Sequence, residues 1–344
     1  MKSTSTSWPP EAGASAAAAA GRSPLRLALP ALAGAGAAWV LWRLATTSAM
    51  PPRIVVAAIP LWLALWLATV LLHALRWQMV LARLGTRLPL GRLARLWLAG
   101  RAVGALVPSA TLGGEPVRAQ LLAASGTPAA RAAGAVALDR TLELAGNMIV
   151  GPLCIGGAIA LGAGSGTVML ITAASALTGL TMLAAIYARG VRGRPALAVL
   201  CAPLLRLLPQ QRRARVREQA ARVDAAMHAL VAAHPRLVPA GVGMSLVIEA
   251  LHVAELAALF AVFAVAAPLP LLLLSSMGIG VAHAVPVTAS LGTLEATQVG
   301  LFTVGGEPLA TGLAVAVAIR LAETLAILVG LACLASAPGR RRGG

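Results

Sequence analysis

PSATLGGEPVRAQLLAASGTPAARAAGAVALDRTLE, residues 108–143, is the stretch on which the reading of this chain turns. It places Glu115, Arg118, Asp139, Arg140 and Glu143 among almost purely apolar neighbours. The pattern returns 180 positions later. Glu115 and Arg140 are 25 residues apart, and so are Glu295 and Arg320. Arg140-Thr141-Leu142-Glu143 has its counterpart in Arg320-Leu321-Ala322-Glu323, and Gly126 and Pro128 recur as Gly306 and Pro308. Matched ionisable residues inside matched apolar segments are what a duplication around a membrane site leaves behind.

Composition agrees with a membrane setting. Hydrophobic residues make up 59% of the chain and charged ones 11%, where a soluble domain carries about a quarter charged. The mean hydropathy is +0.84. The net charge of +17 comes with only 3% aromatics, so the chain lacks the stacking platform of a nucleic-acid binder. Arginines beside apolar spans fit the cytoplasmic loops of a membrane protein and its anionic lipid headgroups. Cys154, Cys201 and Cys333 lie far apart with no CxxC spacing, which implies neither a disulfide frame nor a metal site.

Read in order, residues 1–24 are a disordered cytoplasmic tail and 25–336 a single transmembrane domain. Residues 27–46 form an uncleaved first span, because their apolar run is longer than a signal-peptide core. A second span starts near Ile54. Arg76, Arg83, Arg87, Arg92 and Arg95 then mark a cytoplasmic face. Residues 93–107 are apolar but too short to cross, and a Pro/Gly-broken link leads into a helix from Glu115. Such a pair of pieces reads as a re-entrant hairpin hinged at Pro108, Gly113 and Gly114. A charged helix follows to residue 161, and 167–187 crosses back. Residues 189–236 hold ten arginines and form a basic cytoplasmic loop, with an amphipathic segment suited to the membrane surface. The second half repeats the scheme: a helix from Leu237, a hairpin hinged at Pro286 and Gly292, and a last span to about 335. A basic tail, 337–344, completes the chain.

The expected fold class is therefore all-α and polytopic. It has about six full transmembrane helices and two re-entrant helical hairpins in an inverted-topology repeat, with halves at 54–161 and 237–335. Both termini fall in the cytoplasm, and the hairpins enter from opposite sides. Broken helices meeting at the midplane are the usual home of a transporter site.

Seven of the eleven acidic residues fall inside apolar segments, where an ionised group costs about 2.5–3.5 kcal/mol on insertion scales. Glu115, Arg118, Arg140, Glu143, Glu295, Arg320 and Glu323 are the candidate substrate-binding residues. Arg118, Arg140 and Arg320 are the candidates for gripping a phosphate, since a guanidinium does so through paired hydrogen bonds. Buried ion pairs that lock the two repeats together are the structural alternative. Glu115 and Glu295 also stand where they can cap the return helices. Glu249, His252 and Glu255 share one helix face and form a candidate proton-relay stripe. A metal role would need a second Glu-x-x-His, and none exists.

The combination PSATLGGEPVR, DRTLE, PVTASLGTLE and IRLAE resembles the flippase-like family whose relatives include the transmembrane part of lysylphosphatidylglycerol synthase. The likeness spans about residues 54–334 and rests on Pro108, Gly114, Glu115, Arg118, Arg140, Pro286, Gly292, Glu295 and Arg320. The Gly-Gly-Glu form is also similar to the hopanoid-associated branch. The resemblance implies transport of an amphipathic lipid (phospholipid, aminoacyl-lipid or isoprenoid/hopanoid lipid) across a bacterial inner membrane, without cofactor and without enzymatic activity. No aminoacyl-transferase domain is expected after Gly344. Membrane lipids, anionic ones foremost, are the expected partners, with lipid-biosynthesis enzymes as further candidates. A membrane-embedded scaffold and a transferase subunit of lipid synthesis are the alternatives.

Overall fold

The computed structural model describes residues 54–107, 113–162, 231–285 and 287–336, with isolated positions elsewhere. The expectations for the two tails, the spans at 27–46 and 167–187, most of the basic loop, and the hinges Pro108 and Pro286 lie outside those residues. The main elements are eight helices: α1 (Ile59–Arg83), α2 (Leu90–Leu106), α3 (Gly114–Ala123), α4 (Ala129–Ala160), α5 (Leu237–Val262), α6 (Leu269–Ala284), α7 (Thr293–Val304) and α8 (Leu309–Ala335). Among the described residues there is no strand.

Local chemistry sets the helix ends. Val107 and Val285 precede prolines and take extended conformations, at φ −101°, ψ 131° and φ −76°, ψ 129°. A proline ring clashes with an α-helical residue before it, so α2 and α6 must stop there. The turns after α3 and α7 are built alike. Gly126 and Gly306 have φ of +96° and +84°, a left-handed conformation that glycine adopts at no steric cost. Pro128 and Pro308 then precede the first residues of α4 and α8 with near-identical φ and ψ. The matched Gly and Pro positions of the two sequence halves thus perform one task twice.

Helix length divides the elements into two classes. The helical stretches Val56–Arg83, Ala129–Ala160, Leu237–Val262 and Leu309–Ala335 are long and apolar enough to cross a membrane. The 17 residues of α2 and 16 of α6 reach only about 24–26 Å at 1.5 Å per residue, short of a hydrocarbon core of about 30 Å. The chain is a multi-pass helical membrane protein. Large apolar side chains such as Leu153, Val247 and Leu328 are more than half exposed, as a surface facing lipid tails requires.

Each half has its own apolar core. Trp77, Leu81, Leu93, Leu122 and Leu138 pack between α1 and α4, and Leu256, Phe260, Leu294, Phe302 and Ile319 between α5 and α8. The halves then interlock reciprocally. Helix α2 lies on α8, and its counterpart α6 lies on α4. Helices α1 and α5 pack antiparallel: the Val55 amide donates to the Val262 carbonyl at 2.7 Å, while Arg76, well along α1, reaches back to Ser245.

One expectation about Arg76 is corrected here. It is not an exposed charge at a membrane face. It lies within α1 and is fully buried between helices, because Asp139 and Glu143 are there to receive it.

Candidate functional site

The charges of the first half converge from three helices, α1, α3 and α4. Asp139 of α4 is fully buried, and its two oxygens are divided between two arginines. Arg76 Nε donates to Oδ1 at 2.9 Å, and Arg118 of α3 donates to Oδ2 at 2.6 Å. Arg76 also donates to Glu143 at 3.1 Å and to the Ser245 hydroxyl at 3.1 Å. Arg140 pairs with Glu143, three residues on along α4, and with Glu115 of α3 at 3.5 Å. The guanidinium of Arg118 lies 4.2 Å from the centre of the Trp77 ring, a cation–π contact.

These partners require close backbone approach. Helices α2 and α3 touch at Gly100 and Gly114, where a Cβ on either glycine would collide with the other's backbone or with Arg118. Side-chain-free contact brings Arg118 under Asp139 and leaves Glu115 facing Arg140.

The second half repeats part of this arrangement. Arg320 of α8 meets Glu295 of α7 at 2.7 Å and Glu323 at 3.2 Å. The 25-residue spacing is therefore realised as a guanidinium–carboxylate contact in both halves, and so is the three-residue spacing. Glu295 also closes the start of α7, accepting from the Gly292 amide at 2.8 Å. The expected capping role holds for Glu295, whereas Glu115 serves Arg140.

Arg320 does one thing more. It donates to the carbonyls of Ala289 at 2.6 Å and Ser290 at 3.1 Å. Both residues have φ near +50°, a conformation that non-glycine residues adopt only at a cost. The guanidinium holds this strained link in place. On the far side of Glu323, His283 of α6 approaches at 2.7 Å.

Both clusters open on one cavity of about 110 Å³. Glu115, Arg118, Arg140, Glu143 and Glu323 line it, with Gly114 beside them and His283, Ala289 and Ser290 from the second half. Arg320 and Glu295 stand behind its wall. Among the described hinge residues, Gly113 and Gly292 sit at the starts of α3 and α7. The stripe on α5 is apart from the cavity. Glu249 and His252 are 3.5 Å apart, and His252 reaches 5.6 Å from His73 of α1, which stacks at 4.4 Å on Trp97 in the cavity wall.

Of the three phosphate candidates, Arg320 is 1% exposed and committed to two carboxylates and two carbonyls, and Arg118 is 4% exposed against Asp139. Their first task is to hold the structure together. Sequence reading passed over His73, Arg76, Arg101 and His283 as site residues. The available signal was the one used for the glutamates, an ionisable group inside an apolar helix.

Comparison with known proteins agrees with the architecture. The family model described as lysylphosphatidylglycerol synthase TM region matches residues 23–330, so the chain belongs to that family. No curated protein and no solved structure matches it.

Proposed function

We propose that this member of the lysylphosphatidylglycerol synthase TM-region family is a flippase-like transporter. It moves an amphipathic lipid across the bacterial inner membrane, with the headgroup passing through the charged cavity. The observation that carries this reading is the convergence of Glu115, Arg140 and Glu143 from one half with His283 and Glu323 from the other on a single cavity. Its 110 Å³ is below the roughly 300–1,000 Å³ of ordinary small-molecule pockets. It admits a headgroup and leaves acyl chains in the bilayer.

In this reading α2–α3 and α6–α7 are re-entrant hairpins entering from opposite leaflets. Six helices cross fully, and both termini are cytoplasmic. The antiparallel course of α1 and α5 and the reciprocal packing of α2 on α8 and α6 on α4 support an inverted-topology repeat. Alternating access would then follow from rocking one half against the other around a fixed charged centre.

The test is translocation of dye-labelled phosphatidylglycerol in proteoliposomes, followed by quenching of outer-leaflet dye. Glu115→Gln with Arg140→Gln should reduce the protein-dependent rate to background while leaving reconstitution intact. Transport at the wild-type rate in that variant would remove the cavity from the mechanism. Single cysteines in place of Val107 and Val287 should react with impermeant reagents from opposite sides of the membrane. Labelling of both from one side would overturn the inverted arrangement.

A further inference from the structure

Arg76, Arg118, Arg140 and Arg320 each have a carboxylate partner in the charged core. Arg101 does not. It is exposed on α2, lines the same cavity, and has the Trp97 ring, 5.5 Å from its guanidinium carbon, as its sole contact of this kind among the described residues. It exerts a field on Glu143 and Glu323 without pairing with either. A guanidinium held against an aromatic face, with its N–H groups uncommitted among the described residues, is poised to donate a planar pair of hydrogen bonds to an oxyanion.

A second cation is close by. Arg118 lines the same cavity, 4% exposed, so its guanidinium adds positive charge to the wall that an entering anion meets. Arg118 cannot swing away to solvent, since Asp139 and Trp77 fix it.

We propose that Arg101, with Arg118 as a second positive charge in the wall, is the phosphate-binding group of the cavity and takes the phosphate of the transported headgroup. This deepens the transport reading and rests on it for the identity of the ligand. The role falls to Arg101 because two of the three sequence candidates are occupied, Arg320 by Glu295, Glu323 and the Ala289 and Ser290 carbonyls and Arg140 by Glu115 and Glu143.

The experiment is calorimetric titration of the purified full chain in detergent with three probes: dihexanoyl phosphatidylglycerol, dihexanoylglycerol, and inorganic phosphate. Wild type should bind the phosphatidylglycerol, and dihexanoylglycerol should not bind detectably. Arg101→Gln should weaken binding about ten-fold or more, the worth of a charge-assisted hydrogen bond, and Arg101→Lys, which keeps the charge without the planar fork, should recover only part of the loss. Thermal unfolding of Arg101→Gln should match wild type, since no ion pair is removed. Phosphate binding with the same dependence on Arg101 would support the site and assign it to the free anion. Equal affinity of wild type and Arg101→Gln, equal binding of dihexanoylglycerol, or no binding of either phosphate probe to wild type would each overturn the proposal. Arg101-dependent binding by a protein that moves no lipid in vesicles would uphold the site and discard the transport reading.

Discussion

The two halves of this protein answer the same problem, ionised groups inside a bilayer, with different sets of residues. Shared between them are Glu115, Arg140 and Glu143 in one half and Glu295, Arg320 and Glu323 in the other. Behind this common triad the halves part. In the first, Arg76, Arg118 and Asp139 form a buried ionic core. The positions 180 residues later are Leu256, Gln298 and Ile319, all buried. Gln298 satisfies itself with Ser275, donating to its carbonyl at 3.1 Å. All three charges are present in one half and all three are absent from the other. A buried ion whose partner is lost is costlier than no ion at all, whereas a complete exchange for apolar groups is close to neutral. Such charges are therefore kept or lost together.

The comparison breaks most sharply at Asp139. Replacing it with Ala leaves Arg76 and Arg118 buried side by side, and should destabilise the protein by about 3–5 kcal/mol, read as loss of monodisperse protein on heating in detergent. Copying the second half into the first, Arg76→Leu with Arg118→Gln and Asp139→Ile, should return stability to within about 1–2 kcal/mol of wild type. A triple variant no better than Asp139→Ala alone would show that the two cores are not interchangeable.

Arg320→Leu tests the other half and should cost about 3 kcal/mol, since Glu295 and Glu323 lose their partner. Its distinguishing sign is local: protease access at residues 287–292, or thiol-reagent access at a cysteine introduced there, should rise before global unfolding, because Ala289 and Ser290 are no longer held. Gly100→Ala should cost about 1–3 kcal/mol by overpacking α2 against Arg118 and α3, measured as a shift in the thermal midpoint. The smallest effect should come from His283→Gln, which replaces one contact with Glu323 and should cost about 1 kcal/mol. A loss from His283→Gln equal to that from Arg320→Leu would mean that Glu323 depends on α6 as much as on its own helix.

Much of this was legible in one dimension. The common spacing of Glu115 with Arg140 and of Glu295 with Arg320 marks the two halves as related, while the contact within each pair, at 3.5 and 2.7 Å, is seen only in the structure. The ends of α2 and α6 follow from the prolines after them. Arg76 was misread because it sits at the head of a run of arginines, and a loop marker and a buried ion look alike until a partner is seen. That partner, Asp139, is 63 residues away.

The sequence by itself determined that the chain is helical, spans a membrane and carries two related charged segments, because hydropathy, spacing and turn chemistry are local properties. Only the tertiary structure decided which arginines are spent on carboxylates and carbonyls and that Arg101 faces the cavity without an ion-pair partner among the described residues. Charge satisfaction depends on distances across helices, and no run of neighbouring residues encodes those.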